Sequence, residues 1–352
     1  MAVSFTNNSK LFITLKQKVD LYFKENNLKP TGNIHLYTKT AVLFSLVAIT
    51  YSLILFASLT PFLNATLWGF MGLVFSGIGF GVMHDGAHGS YSDKKWVNDF
   101  MGNALHLLGG STYLWKAKHN INHHSFTNID GVDDDIDVKP WLRIHPDQPK
   151  HKFHRFQHIY WMGLYGLTYI TWIYWRDFDK YFKKEISGIP FKKMKTKDHI
   201  EFWAWKVIYT IIFLVIPMFK IGVGPTLIGY ATLCFVCGLA ISVVFQLAHV
   251  VEESSFPVPD ENNKIQEDWV VHQINTTANF ATHNKLVSWY VGGLNFQVEH
   301  HIFPRISHVH YPAISKLLQE TCQQFNVKYR EMPTVFHAVR SHARYLKALG
   351  RE

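Results

Sequence analysis

Two blocks of this sequence carry almost no charge, and each is long enough to cross a bilayer twice. From Thr40 to Met83 there is no Asp, Glu, Lys or Arg, and from Val207 to Val251 the only such residue is Lys220. A spanning helix needs about 20 predominantly apolar residues, because about 30 Å of hydrocarbon must be covered at about 1.5 Å per residue. Each block therefore fits two helices and a short turn, at roughly 40–59, 65–83, 203–219 and 224–247. Pro61 and Asn64 mark the first turn; Gly222, Gly224 and Pro225 mark the second. The expected fold is an all-α integral membrane protein with four transmembrane helices in two hairpins. The composition agrees, since 17% charged residues is low for a soluble enzyme and the apolar residues are blocked together.

Charge sets the expected orientation. Lys10, Lys16, Lys18, Lys24, Lys29 and Lys39 precede the first block, and Lys180, Lys183, Lys184, Lys192, Lys193, Lys195 and Lys197 precede the second. The two hairpin tips carry only Lys220, so the positive-inside rule puts both termini on the cytoplasmic side. A further apolar run, Ile159 to Trp175, would move the basic stretch after it outside if it crossed. Its many Tyr and Trp residues suit an interfacial or re-entrant helix instead. Residues 11–24 read as an amphipathic helix lying on a surface. The net charge of +9 follows from basic cytoplasmic loops and does not imply nucleic acid. Some cations, among them Lys116, Lys118, Lys139, Arg143, Lys150 and Arg155, are also placed to meet an anionic headgroup or a phosphorylated carrier. Cys234 and Cys237 form a C-x-x-C inside an apolar span, where packing is their expected role, and Cys322 stands alone. The N-terminus has no secretory signal pattern.

Three histidine clusters lie just outside the apolar blocks: His84 and His88 in HDGAH, His119, His123 and His124 in HNINHH, and His300 and His301 in QVEHH. On a helix, positions four apart share a face, as do Gln297 and His300 at three apart. His249 follows the fourth span as His84 follows the second, which makes it a further ligand candidate. Eight imidazoles and the Gln297 amide exceed what one tetrahedral zinc can use, so the set points to two metal ions. Calcium and magnesium would want oxygen ligands. A nitrogen-rich, open site beside the bilayer suits iron that activates oxygen. The acidic run Asp133, Asp134, Asp135 and Asp137 is either solvated or supplies carboxylates to the outer N–H of liganding imidazoles; Asp134 and Asp137 are the candidates. Asn128, Asn279 and Asn295 are weaker candidates for the same work. His272 and His308 are the least certain of the histidines left as non-ligands.

In that order, and separated by a membrane hairpin, HDGAH, HNINHH and QVEHH resemble the three histidine boxes of the membrane fatty acid desaturases. TTANF, WYVGGLNFQVEHHIFPRISHVHYP and HHSFTNIDGVDDDID resemble the front-end and acyl-lipid branch, and the resemblance runs from about residue 40 to 330. It implies a cytoplasmic helical cap holding a di-iron centre, with His84, His88, His119, His123, His124, His300 and His301 as ligands and His249 matching an additional one. It further implies that Gln297 replaces the first histidine of the third box, as is typical of enzymes that insert a double bond between an existing one and the carboxyl end. Many such members carry a fused haem domain of the cytochrome b5 type. This sequence has no His-Pro-Gly-Gly motif, so a separate electron donor is expected, a ferredoxin or cytochrome b5 with its reductase. The implied substrates are molecular oxygen and an acyl-lipid or acyl-CoA chain. The implied domains are a cytoplasmic N-terminal segment over 1–39, a desaturase domain over 40–330 and a cytoplasmic tail over 331–352.

Three other readings compete. A membrane hydroxylase or related lipid oxygenase would use the same scaffold and leave oxygen in the product. A histidine-based metal transporter predicts ionisable residues within the spans, and the first hairpin read this way has none. A haem-binding membrane cytochrome would place its axial histidines inside the spans.

Overall fold

The computed structural model describes residues 3–6 and 10–352. The chain divides into two compact units, one of Met1–Gly32, Lys118–Trp161 and Val244–Glu352 and the other of Asn33–Ala117 and Met162–Val243. Among the described residues four helices are long and apolar enough to cross a membrane: Ile34–Phe56, Pro61–His88, Thr196–Ile221 and Val223–His249.

The second unit contains most of these helices. Asn33 caps the first by accepting from the His35 amide at 3.0 Å, and Thr60 caps the second, with Pro61 in the first turn where its missing N–H costs nothing. The first helix starts six residues before the expected Thr40 and so takes in Lys39, which is only 3% exposed. Sequence counting treated Lys39 as the end of a basic segment, but a lysine stem packs readily along an apolar face. The third helix begins at Thr196 rather than 203, because Asp198 caps it by accepting from the Lys195 amide at 2.7 Å. It therefore includes Lys206, and ionisable side chains do occur within these helices. Close helix approach is built with glycine. A Cβ on Gly72 would sit 2.6 Å from the Leu233 carbonyl oxygen, so only glycine lets these backbones touch.

The first unit is mostly helical with short parallel strand pairs, Ser4–Thr6 with Lys264–Asp268 and Asn279–Phe280 with Glu331–Met332. The amphipathic N-terminal helix, Lys10–Glu25, turns Leu11, Leu15, Val19 and Phe23 into this core. They pack with Val270 and Ile274, with Val298 and Ile302 beside the third histidine box, and with Ile314, Leu318 and Cys322. This corrects the expectation of a helix lying on a surface. The periodicity was that of a helix burying one face, and a protein core met that face. The run from Ile159 to Trp175 is helical, within Gln157–Lys183, and is not one of the four candidate spans.

Candidate metal centre

The first box, His84–His88, is one α-helical turn at the end of the second candidate span. A π-helical stretch, Ile78–Met83, leads into it. The His84 and His88 rings lie 4.6 Å apart, centroid to centroid, and both pack edge-on to Trp115, at 5.7 and 6.0 Å. Gly86 permits this turn, since a Cβ there would meet the Gly102 nitrogen at 2.4 Å.

The second box is wound differently from expectation. Ala117–His123 is π-helical, with a wider turn than the α-helix assumed from the four-residue spacing. His119 and His123 still share a face, with rings stacked at 5.2 Å. The third box does form an α-helix, Gln297–Ile302. These two boxes and His249 converge. The His124 ring lies 4.8 Å from that of His119, 4.6 Å from His300 and 4.4 Å from His301. His123 lies 4.8 Å from both His249 and His301.

The direction of the ring nitrogens is more informative than their proximity. His119 Nδ1 faces Asp135 at 2.9 Å and His123 Nδ1 faces Asp133 at 2.9 Å. His301 Nδ1 faces the Gln273 side-chain oxygen at 2.8 Å, and His300 Nδ1 faces the Tyr311 hydroxyl at 3.1 Å. With Nδ1–H given to an outer acceptor, the tautomer is fixed and Nε2 presents its lone pair inward. The Nε2 atoms of His123 and His301 are buried and have no hydrogen-bond partner among the described residues. His123, His249 and His301 place one nitrogen each within 4.8 Å of one another, and His119, His123 and Asp135 form a second such group. Inward lone pairs on His123 and His301 that meet no proton donor among the described residues form a donor set that a soft-to-borderline cation fits.

Electrostatics favour the neutral rings such a cation needs at His119 and His301. Burial pushes the His301 pKa far down, and the neighbouring His124, His123 and His249 push it further. Burial also lowers His119, against the opposing pull of Asp135. Burial works against the charge of Asp135 too, yet Lys118 and the His119 hydrogen bond hold it ionised, well below the usual carboxylate range. In His123 burial is outweighed by Asp133, and the pKa rises; that carboxylate makes the ring more basic and a stronger donor.

Asp133 and Asp135 thus each contact a candidate histidine. Asp134 lies 3.9 Å from the Lys118 amine, and Asp137 accepts from the Lys139 backbone amide at 3.0 Å and lies 3.8 Å from its amine. The segment is a series of turns with Asn128 and Gly131 at positive φ, and no period predicted which carboxylates face inward. Asn128 donates to the carbonyls of His249 (2.9 Å), Ser255 and Thr276 (3.1 Å each), holding the backbone around His249. Asn279 accepts from the Val298 amide at 3.0 Å and donates to Glu299 at 2.7 Å, bracketing the third box. Asn295 donates to Ser288 at 3.0 Å and touches no liganding histidine in this way. Gln297 places its amide nitrogen 3.0 Å from His249 Nε2, while its oxygen is buried without a partner among the described residues. Sequence reasoning missed Gln273, whose oxygen also accepts from Thr127 at 2.9 Å and so ties the second box to the third. A single glutamine in HQINTT carries no spacing signal. His272 is fully buried beside Phe5, with its pKa pushed down to about 4 by burial.

Comparison with known proteins agrees with this geometry. The fatty acid desaturase family model matches residues 60–333. An sn-1 linoleoyl-lipid 6-desaturase from Arthrospira platensis is 35% identical over 341 residues, covering 96% of this chain and 91% of the relative. An acyl-lipid (8-3)-desaturase from Physcomitrium patens is 34% identical over 347 residues, covering 97% and 72%. An sn-1 linoleoyl-lipid 6-desaturase from Synechocystis sp. is 32% identical over 356 residues, covering 99% and 98%. A membrane protein with four candidate spans and histidine clusters able to hold a metal, this chain belongs to the fatty acid desaturase family.

Proposed function

We propose that the chain holds two iron ions with His84, His88, His119, His123, His124, His249, His300 and His301, and inserts a cis double bond into the acyl chain of a glycerolipid on the carboxyl side of an existing one. The observation that carries the metal assignment is the arrangement of ring nitrogens: Nδ1 atoms given to Asp133, Asp135, Gln273 and Tyr311, and buried Nε2 atoms of His123 and His301 left open. The acyl-lipid and carboxyl-side parts rest on the names of the relatives and on Gln297 in the third box.

When bound, iron supplies the activation of oxygen, which is reduced to two waters by two hydrogens from the acyl chain and by two electrons and two protons from a separate donor such as a ferredoxin or cytochrome b5. The protein's part is to position and to exclude water. Asp133 and Asp135 fix the tautomer and tilt of the second-box rings, Gln273 and Tyr311 do so for the third, and Asn128 holds the backbone at His249. Gln297 lies beside His249, its amide nitrogen 3.0 Å from the Nε2 that would face the metal, so that contact would give way as the metal binds. Burial lowers the pKa of His119 and His301, favouring their neutral rings, and keeps water scarce around them. Lys-rich segments on one side favour a cytoplasmic cap and termini, with the spans in two hairpins.

The test is the fatty-acid profile of host membranes expressing the chain and fed saturated and unsaturated acids, beside His124→Ala. A new olefin on the carboxyl side of an existing bond, absent from the variant, is expected. An oxygenated acid would move the chain to the hydroxylases, and an unchanged profile of the variant would remove His124 from the ligand set.

A further inference from the structure

We propose that the groove lined by Lys150, Lys152, Arg155, His158 and Arg351 is a binding site for the phosphate of an anionic glycerophospholipid, apart from the histidine cluster and independent of the reaction assigned to it. Lys150, Lys152, Arg155 and Arg351 bring four cations to this one cavity, His151 and His158 bring two imidazoles, and no carboxylate lines it. Of the acids nearest in sequence, Asp147 is turned to His145, 3.7 Å from its Nδ1, and Glu352 lies outside the lining residues.

The groove is held in shape rather than formed by loose side chains. One wall is the turn over 150–159 and the other is the end of the C-terminal helix, Val335–Leu349. The buried Gln157 joins them, donating to the Leu346 carbonyl at 2.8 Å and to the Arg143 carbonyl at 2.9 Å. The buried Arg143 donates in turn to the Leu349 carbonyl at 2.5 Å and to the Gln148 carbonyl at 3.0 Å. Gly350 passes so close to the His154 carbonyl that a Cβ would sit 2.2 Å from its oxygen. Lys150 reaches across to the Arg351 carbonyl at 2.7 Å. The backbone that carries these cations is thus held in place, which limits the freedom lost on binding an anion. His158 Nδ1 is buried and has no hydrogen-bond partner among the described residues. Its pKa is pushed down by burial and then by Lys347 and Arg351, as positive potential gathers here.

The rim selects a lipid over a free phosphate ion. Phe153, Phe156 and Ile159 are exposed by 41%, 49% and 67%, directly beside the cations. Arg155 lies over the Phe156 ring at 4.8 Å. The chain then runs straight into the aromatic, apolar helix that continues to Trp175. Cations next to exposed aromatic and aliphatic side chains match an anionic headgroup with its glycerol and acyl chains alongside.

The experiment uses the purified full chain in detergent, delipidated and titrated with short-chain phosphatidylglycerol, short-chain phosphatidylcholine and inorganic phosphate. Phosphatidylglycerol is expected to bind at least tenfold more tightly than either of the others. Lys152→Glu with Arg155→Glu should reduce that affinity at least tenfold, while Lys192→Glu with Lys193→Glu leaves it unchanged. Phe156→Ala, which alters no charge, should weaken phosphatidylglycerol but not inorganic phosphate. Circular dichroism and a monodisperse elution profile show that each variant folds; if the double reversal does not, Lys152→Ala with Arg155→Ala replaces it. Equal affinity for phosphatidylglycerol and phosphate would make this a free-phosphate site and overturn the lipid assignment. Binding insensitive to the charge changes at Lys152 and Arg155 would overturn the site. His124→Ala should bind as the parent does, which separates a failure here from a failure of the proposed reaction.

Discussion

The two units each bury a polar cluster, and the two clusters are finished in opposite ways. In the second unit Lys206 donates its three protons to the Gly109 and Ile173 carbonyls, at 2.7 Å each, and to Asp177 at 2.8 Å. Asp177 also accepts from the Ser111 amide at 2.9 Å and from the Trp172 indole at 3.0 Å. A lysine has three donors and no acceptor, so this cluster is closed. In the first unit the outer nitrogens of His119, His123, His300 and His301 each face a partner, yet the inner nitrogens of His123 and His301 have no hydrogen-bond partner among the described residues. A closed buried cluster holds a fold together. One left open on its inner side is built for something that arrives later.

If that contrast is right, mutations in the two clusters separate metal from stability. His301→Ala should abolish desaturation and lower bound iron while leaving thermal unfolding little changed; retained iron and activity would break the contrast. Lys206→Ala should do the reverse in character. It leaves Asp177 buried without its cation, a loss of about 3–5 kcal/mol in the usual case, read as a lower melting temperature with iron per folded chain unchanged.

Asp133→Asn keeps the shape but removes the charge behind His123, and should cost about 10–100-fold in metal affinity or activity. Acidification adds a smaller, pH-dependent loss. His272 and His342 are buried neutral with pKa values pushed down to about 4, so the unfolded chain takes up protons first as pH falls below the ordinary value of about 6.5. Their contribution is full above that value and declines as pH falls toward 4, which melting curves across this range will report. His342→Gln, which removes one such group, should flatten the decline. Asp134→Asn should change least, by less than about 1 kcal/mol, because its neighbour is the partly exposed Lys118; a loss of iron equal to that of Asp133→Asn would show that the acidic run acts as a whole.

How far the sequence could be read followed from how regular each feature is. Long uncharged runs announced the candidate spans, and the spacing of the boxes announced the ligand candidates. Span ends were less visible, since Lys39 and Lys206 bury their stems inside helices that charge counting cut short. The N-terminal helix was visible as amphipathic, but its partner, the helix Tyr311–Gln324 and its neighbours, is nearly three hundred residues away and shares no pattern with it. The choice of Asp133 and Asp135 over Asp134 and Asp137 depends on turns with positive φ at Asn128 and Gly131, where no repeat operates. Gln273 is set by a tertiary contact alone.

The central claim is that the inward nitrogens hold the iron, and the most direct measurement is iron bound per chain in the purified parent, His123→Ala and His301→Ala, each checked for folding. The parent should carry two irons, and each variant should lose at least one of them together with activity. Variants that fold, keep the full complement of iron and still desaturate would contradict the account.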